Sequence, residues 1–152
     1  MWVALAPFLA LWTRRRVMAA TLLTAGCVWI SDLITLAVKA LVARPRPFVN
    51  VPEADPLLGG TLGNSFPSGH AATSFAGLVI LTFLIRRAIP FLLVLAVLIS
   101  FSRIYIGVHY PLDVVGGAAI GSAVAVALAC ALRAPPRLSG ARRRSAEAPP
   151  PG

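Results

Sequence analysis

The sequence predicts an all-α integral membrane helical bundle, with four complete spans and a partial one at the amino terminus. Three observations predict it. Hydrophobic residues fill 58% of the 152 positions and charged residues only 12%, where a soluble domain carries roughly a quarter charged. Mean hydropathy is +0.83. The apolar residues fall in runs of helical length, and the basic residues behind the net charge of +9 cluster between those runs, as they do in loops at a bilayer surface. That clustering makes the membrane bilayer the partner of the charge and argues against nucleic acid. Cys27 and Cys130 sit inside apolar runs and read as packing residues, without disulfide or metal spacing.

From the amino end, Met1 to Trp12 is apolar but only about 18 Å long as a helix, too short to span. Thr13-Arg14-Arg15-Arg16 follows where a signal peptide would carry a small-residue cleavage site. The stretch therefore reads as the tail of a spanning helix whose beginning is absent. Val17 to Val42 is long enough to cross, with Asp32 and Lys39 as its only charges. A turn-rich loop follows from Ala43 to Pro67, containing Pro45, Pro47, Pro52, Pro56 and Gly59-Gly60. Ser68 to Ile85 is the next span, slightly short, ended by Arg86-Arg87. Ala88 to about Val108 is another, with Pro90 tolerated in its first turn. Pro111 opens the last, which runs to Leu132. Residues 1–133 thus form one membrane-embedded domain, and residues 134–152 a basic, Pro- and Arg-rich tail expected to be disordered on the cytoplasmic side.

The arginines set the topology. If each segment crosses once, those at 14–16, 86, 87, 133, 137 and 142–144 share one side, ten of the fourteen basic residues. The positive-inside rule makes that side the cytoplasm and puts Met1 outside. The other four, Lys39, Arg44, Arg46 and Arg103, fall at the opposite, extracytoplasmic face, where basic groups near membrane depth imply a task. The same geometry delivers His70, His109 and Asp113 to that face.

Four cations without clustered carboxylates suit an anion better than a hard metal, which wants several oxygen ligands. Two histidines with one aspartate also make a weak zinc set. Phosphate fits best. Arg46 and Arg103 can fork onto phosphate oxygens and Lys39 adds a point charge. Ser68-Gly69-His70 opens a helix, where an N-cap serine, free backbone N–H groups and the helix dipole favour an anion. Two histidines in one phosphate site divide into nucleophile and general acid. Asp113, four residues after His109, can hold one ring N–H and leave the other nitrogen free to attack phosphorus. His70 would then protonate the leaving oxygen.

Three stretches carry a resemblance: Lys39-(six residues)-Arg46-Pro47, Pro67-Ser68-Gly69-His70, and Ser102-Arg103-(five residues)-His109-(three residues)-Asp113. Together, in this order, they resemble the three-part signature of the phosphatidic acid phosphatase type 2 superfamily, the lipid phosphate phosphatases. The resemblance covers roughly residues 1 to 132. It implies a phosphohistidine at His109 supported by Asp113, with His70 as acid. It implies phosphate binding by Lys39, Arg46, Ser68, Gly69 and Arg103, and neither metal nor cofactor. Membrane members have six spanning helices, so the first helix is missing from this chain. The implied substrate is a lipid phosphate or polyprenyl diphosphate, in a bacterium an undecaprenyl diphosphate-type carrier, with the loop from Phe48 to Phe66 helping to set the choice. The rival readings are a catalytically impaired truncated membrane protein that keeps the motif, and a lipid phosphotransferase.

Other residues carry weaker expectations. Arg44 is a possible replacement for Arg46 as a phosphate ligand. Asp32, two turns before Lys39, reads as a structural hydrogen-bonding group or a partner for a basic side chain. Ser102 reads as orienting the Arg103 turn. Trp29, Tyr105 and Tyr110 read as interface or packing aromatics. Gly116, Gly117 and Gly121 read as positions of close helix approach.

Overall fold

The computed structural model describes residues 1–12, 17–50, 63–84 and 86–133. Arg14–Arg16, the expected loop positions Pro52, Pro56 and Gly59-Gly60, and the expected 134–152 tail lie outside the described residues. Among the described residues every regular element is helical: α1 (Trp2–Trp12), α2 (Val17–Val42), α3 (Pro47–Asn50), α4 (Gly69–Leu84), α5 (Ile89–Tyr105) and α6 (Pro111–Arg133), with a 3-10 turn at Arg86–Ala88 before α5.

Three stretches, Met18–Asn50, Arg86–Tyr105 and Pro111–Leu132, are long and apolar enough to cross a membrane, and Gly69–Phe83 is a shorter apolar helix. The expected four spans therefore appear as three of full length and one short one. α4 has 16 residues, about 24 Å against a hydrocarbon layer of about 30 Å. Pro67 limits it, because a proline cannot continue the i to i−4 ladder and steers Phe66 away from helical backbone.

Short as it is, α4 is the hub, in contact with α1, α2, α5 and α6. Its buried residues Ala71, Ala72, Ser74, Ala76, Leu78, Ile80 and Leu81 point all around the axis, as a central helix requires. One of its neighbours, α2, carries a buried stripe of small residues. On α2 the stripe is Ala20, Thr24, Cys27, Ser31 and Thr35, spaced three or four apart and all buried. Its hydroxyls do not stay unsatisfied. Thr24, Ser31 and Thr35 each donate to the carbonyl four residues back, at 2.7–2.8 Å. Cys27 packs as expected, its Sγ 3.9 Å from the Ala76 carbonyl. Cys130 does not: it lies on an exposed face, because its place on α6 is one step off the buried Ala125–Ala129 stripe.

The tightest crossing joins α4 to α6. A Cβ at Gly117 would strike the Ser68 carbonyl, and one at Gly121 the Ala72 carbonyl. Backbone therefore approaches backbone, the packing that small residues permit where lipid supplies no hydrophobic drive. Gly116 faces the Phe66 ring and Gly77 the Trp2 ring, and a Cβ at either glycine would come within 2.6 Å of the ring it faces. Trp2 is itself buried, and its indole N–H donates to Ser74 Oγ at 3.2 Å. Outside the bundle, Trp29, Leu33 and Leu36 of α2 and Phe91, Val94, Leu98 and Phe101 of α5 are exposed, as apolar side chains facing lipid would be.

The α4–α6 crossing sets a stability prediction. Gly121→Val should lower stability by roughly 3 kcal/mol or more, since a carbonyl cannot yield as a side chain can. Gly116→Ala should cost less, because it meets the movable edge of a Phe ring. Thermal unfolding midpoints of the two variants in detergent check the order.

Candidate active site

Four chain segments converge at one end of the bundle. α2 ends at Val42, where Ala43 takes a positive φ of 47° and its N–H donates to the Lys39 carbonyl. Arg44-Pro45-Arg46-Pro47 follows. Each proline holds the residue before it in extended backbone, and the two-residue period then sends Arg44 and Arg46 the same way. Segment 63–65 lies along this stretch: Ser65 N–H donates to the Arg44 carbonyl at 2.8 Å and Ser65 Oγ to the Pro45 carbonyl at 3.0 Å. Asn64 and Lys39 are tied reciprocally, each side-chain nitrogen donating to the other's carbonyl at 2.8 Å.

The third segment is the start of α4, after a cis Phe66–Pro67 peptide. Ser68 is the N-cap: its Oγ accepts from Ala71 N–H at 3.4 Å. Gly69 and His70 N–H have no hydrogen-bond partner among the described residues, as expected for the first turn of a helix. The Ser68 N–H differs. It is expected to be free, but it donates to the Asp113 carbonyl at 2.8 Å, because α6 crosses directly against this turn. Packing does not require glycine at 69; a Cβ there would meet Asp32 Oδ1 at 3.6 Å, an ordinary contact.

The fourth segment joins α5 to α6. α5 ends at Tyr105, earlier than the expected Val108, because Gly107 turns the chain with a φ of 76°. That turn folds His109 back, so that its N–H donates to the Arg103 carbonyl at 3.2 Å. Arg103 Nε donates to Ser102 Oγ at 3.1 Å, so Ser102 orients the guanidinium. Pro111 occupies the first position of α6, where its missing N–H costs nothing. Asp113, two residues on, reaches back so that its Oδ2 accepts the Tyr110 N–H at 2.8 Å. This is the acidic half of a capping box.

The structure brings the eight expected residues together. His109 is 6% exposed, Asp113 and Ser68 are fully buried, and Arg46 is 8% exposed. Arg46 Nε donates to the Gly63 carbonyl and Nη1 to the Val108 carbonyl, both at 3.0 Å. His109 turns Nδ1 toward Asp113, with Nδ1 3.5 Å from Oδ2. That is ion-pair distance, and Nδ1 makes no hydrogen bond. His70 is exposed at the start of α4, within electrostatic reach of Arg103, Asp32 and Lys39. It borders a cavity of about 290 Å³ whose walls include Trp2, Val28, Thr73 and Ile99.

Charge follows from this packing. Burial, then the Arg46 guanidinium and the Lys39 ammonium, push the His109 imidazole down from 6.5 to about 4, against the pull of Asp113. Its neutral form is thus favoured. Arg46, though buried, stays charged, as a guanidinium does throughout the working pH range.

Two more charged residues border the site. Arg44 does not stand in for Arg46: its Nη1 pairs with Asp113 Oδ1 at 2.9 Å, and its guanidinium lies 4.1 Å over the Tyr110 ring. Asp32 makes no hydrogen bond among the described residues and acts on Lys39 and His70 only through charge. Tyr110 packs as expected, with its Oη 3.4 Å from Asn50 Nδ2. The roles of Asn64 and Gly107 are not foreseen by the sequence reading. A glycine just past the last apolar turn of a helix is a C-terminal signal that could have found Gly107; nothing local marks Asn64.

The model of the PAP2 superfamily matches residues 19–136. The chain is 34% identical over 122 residues to an undecaprenyl-diphosphatase of Sulfolobus acidocaldarius, covering 80% of this chain and 58% of that protein. It is 37% identical over 93 residues to the bacitracin transport permease protein BcrC of Bacillus licheniformis, covering 60% and 45%. It is 37% identical over 130 residues to the decaprenylphosphoryl-5-phosphoribose phosphatase of Mycobacterium tuberculosis, covering 80% and 65%. The chain thus spans between about half and two thirds of the length of these relatives. Among solved structures, the transmembrane PAP2-type phosphatidylglycerolphosphate phosphatase of Bacillus subtilis superposes with a TM-score of 0.66 at 24% identity, covering 85% of this chain and 65% of that one. That likeness shows the fold, a multi-pass bundle of membrane helices. With its three motif segments gathered at one end of such a bundle and the family's model matched over most of its length, the chain belongs to the PAP2 superfamily.

Proposed function

We propose that the protein is a membrane phosphatase that hydrolyses a lipid phosphate or diphosphate through a phosphohistidine at His109. The observation that carries this is the buried His109 imidazole, with Nδ1 turned to Asp113 and its neutral form favoured by Arg46 and Lys39. Nε2 is then the nitrogen left to attack.

In the first half-reaction Nε2 forms a bond to the terminal phosphorus as its bond to the leaving oxygen breaks, the alcohol oxygen of a lipid phosphate or the bridging oxygen of a diphosphate. His70, protonated, gives its proton to that leaving oxygen. Asp113 offsets the positive charge that develops on the His109 ring. In the second half-reaction water attacks phosphorus, His70 takes the water's proton, and the nitrogen–phosphorus bond breaks to release phosphate and free His109. Lys39, Arg46 and Arg103 would neutralise the phosphoryl oxygens, with Ser68 Oγ and the unpartnered Gly69 and His70 N–H groups as neutral donors. Charge compensation by cations supports a reaction without metal. So does the donor set, since the described residues hold no group of three His, Cys, Asp or Glu side chains that could bind one.

The substrate class follows from chemistry and from kin. The cavity beside His70, walled by Trp2, Val28 and Ile99, suits the apolar chain of the lipid that leaves. Two of the similar proteins are named for undecaprenyl or decaprenyl phosphate chemistry. An undecaprenyl diphosphate-type carrier is therefore the proposed substrate, with the site on the extracytoplasmic face. The surplus of arginines on the opposite side of the predicted topology supports that face.

Purified protein should release phosphate from polyprenyl diphosphates in detergent, with chelator present. His109→Ala should lower the rate at least ~1000-fold; undiminished activity in that variant would rule out the phosphohistidine. His70→Gln should cost about 100-fold or more, recovered in part with substrates that leave without protonation. Trapped label passing from His109 to a lipid acceptor instead of water would make the protein a transferase.

The pH dependence has a definite sign. Folding lowers the His109 imidazole from 6.5 to about 4, so the unfolded chain binds more protons between those values. The stability contribution is full above pH 6.5 and is lost as pH falls toward 4. Denaturation across this range should show a shallower loss in His109→Gln than in the parent. The acid limb of kcat/KM should lie below 6.5, since that limb reports the free enzyme.

A further inference from the structure

We propose that Arg44 is a positioning residue: its guanidinium fixes Asp113 Oδ1 and the Tyr110 ring, so that Oδ2 is presented to His109 Nδ1. The proposal rests on the reading of His109 as nucleophile and adds a residue that the first motif segment spans but does not specify.

Asp113 is fully buried and its two oxygens are both claimed. Oδ1 accepts from Arg44 Nη1 at 2.9 Å, and Oδ2 accepts the Tyr110 N–H at 2.8 Å while lying 3.5 Å from His109 Nδ1. Among the described residues nothing but Arg44 holds Oδ1. A buried carboxylate that loses its cation either takes up a proton or turns to find another donor. Either change removes the negative charge from its place beside the imidazole.

Arg44 acts on both donors of that carboxylate at once. Its guanidinium stacks 4.1 Å from the centre of the Tyr110 ring, and the Tyr110 backbone supplies the other hydrogen bond. From the far side Asn50 Nδ2 reaches Tyr110 Oη at 3.4 Å. Arg44 is itself fixed: Pro45 restricts its backbone and its carbonyl accepts the Ser65 N–H. A guanidinium so committed to a carboxylate and a ring is poorly placed to fork onto substrate phosphate as well. Its planar fork and its stacking are properties that lysine lacks.

The charged groups that act on His109 are Arg46 from the 43–46 segment, Lys39 from α2 and Asp113 from α6. Arg44 acts through the last of these. Loss of Arg44 takes the Asp113 charge away from the imidazole, which removes the one influence that opposes burial, Arg46 and Lys39 and lowers the His109 titration midpoint.

The test uses the full chain in detergent micelles, with Arg44→Gln and Arg44→Lys, and two readouts. The first is steady-state hydrolysis of a short-chain lipid phosphate across pH. The second is titration of nitrogen-15-labelled histidine by NMR, with His70→Gln leaving His109 as the sole histidine. For Arg44→Gln, kcat should fall about 10- to 100-fold with KM changed less than about threefold, as expected when a catalytic group is slightly misplaced. The His109 midpoint should fall by roughly half a unit or more. Arg44→Lys should restore the midpoint but only part of kcat, since it returns the charge without the fork or the stack. A raised KM with intact kcat would make Arg44 a substrate ligand and overturn the proposal. A lower melting temperature with unchanged kcat and midpoint would reduce it to scaffolding and also overturn it. Activity surviving in His109→Ala would instead overturn the phosphohistidine reading. Arg44 is then judged on the NMR midpoint alone, which needs no turnover.

Discussion

Asp113 is the point on which the site end of this protein depends. A carboxylate shut away from water is tolerated only if cations and N–H groups meet it, and the groups that meet Asp113 come from separate parts of the chain. Arg44 arrives from the loop after α2, and the Tyr110 N–H from the turn before α6. The Asp113 backbone carbonyl takes the Ser68 N–H at the start of α4. One residue therefore fastens the loop after α2, the start of α4 and the start of α6. Asp113 is fully buried while a third of the Arg44 side chain is exposed, so losing Arg44 leaves a buried charge that water screens only in part, and the knot contributes to stability as well as to charge placement.

Around that knot the cations are held by neutral groups. Arg46 spends donors on the Gly63 and Val108 carbonyls, and Lys39 spends one on the Asn64 carbonyl. Carbonyl oxygens orient a cation without cancelling its charge, as a carboxylate would. Lys39 keeps two of its three N–H donors uncommitted in the described contacts. The result is a positive, partly dry recess whose groups are placed before any ligand arrives, the arrangement in which electrostatic stabilisation is most effective. The same cations, together with burial, favour the neutral His109 ring. Binding and nucleophile activation, as proposed, draw on one set of charges.

The recess stays in place because the helices beneath it touch at backbone level. Gly117 and Gly121 let α6 lie against Ser68 and Ala72 of α4, and the Ser68-to-Asp113 hydrogen bond is possible only at that range. On α2 a small side chain, Cys27, is buried against the Ala76 carbonyl of α4. Shape at the crossing thus sets chemistry at the end, within about two helical turns.

The sequence by itself determined the class of the fold, the helix boundaries to within a few residues, and which ionisable residues meet at one end. These follow from apolar run length, from arginine placement and from proline and glycine positions, all of which act locally. It also showed that Gly116, Gly117 and Gly121 were for packing, since small residues at helical spacing have few other uses inside a span. Only the tertiary structure decided how donors and acceptors are shared among those residues. Arg44 and Asp113 are 69 positions apart, and no local rule distinguishes Arg44 from Arg46 two residues later. Ser68 N–H looked free because a first-turn N–H has no partner within its own helix; its partner came from α6. Asp113 looked dedicated to His109, but its oxygens accept from Arg44 and the Tyr110 N–H, because packing brings those two donors within hydrogen-bond reach while His109 Nδ1 stays at 3.5 Å.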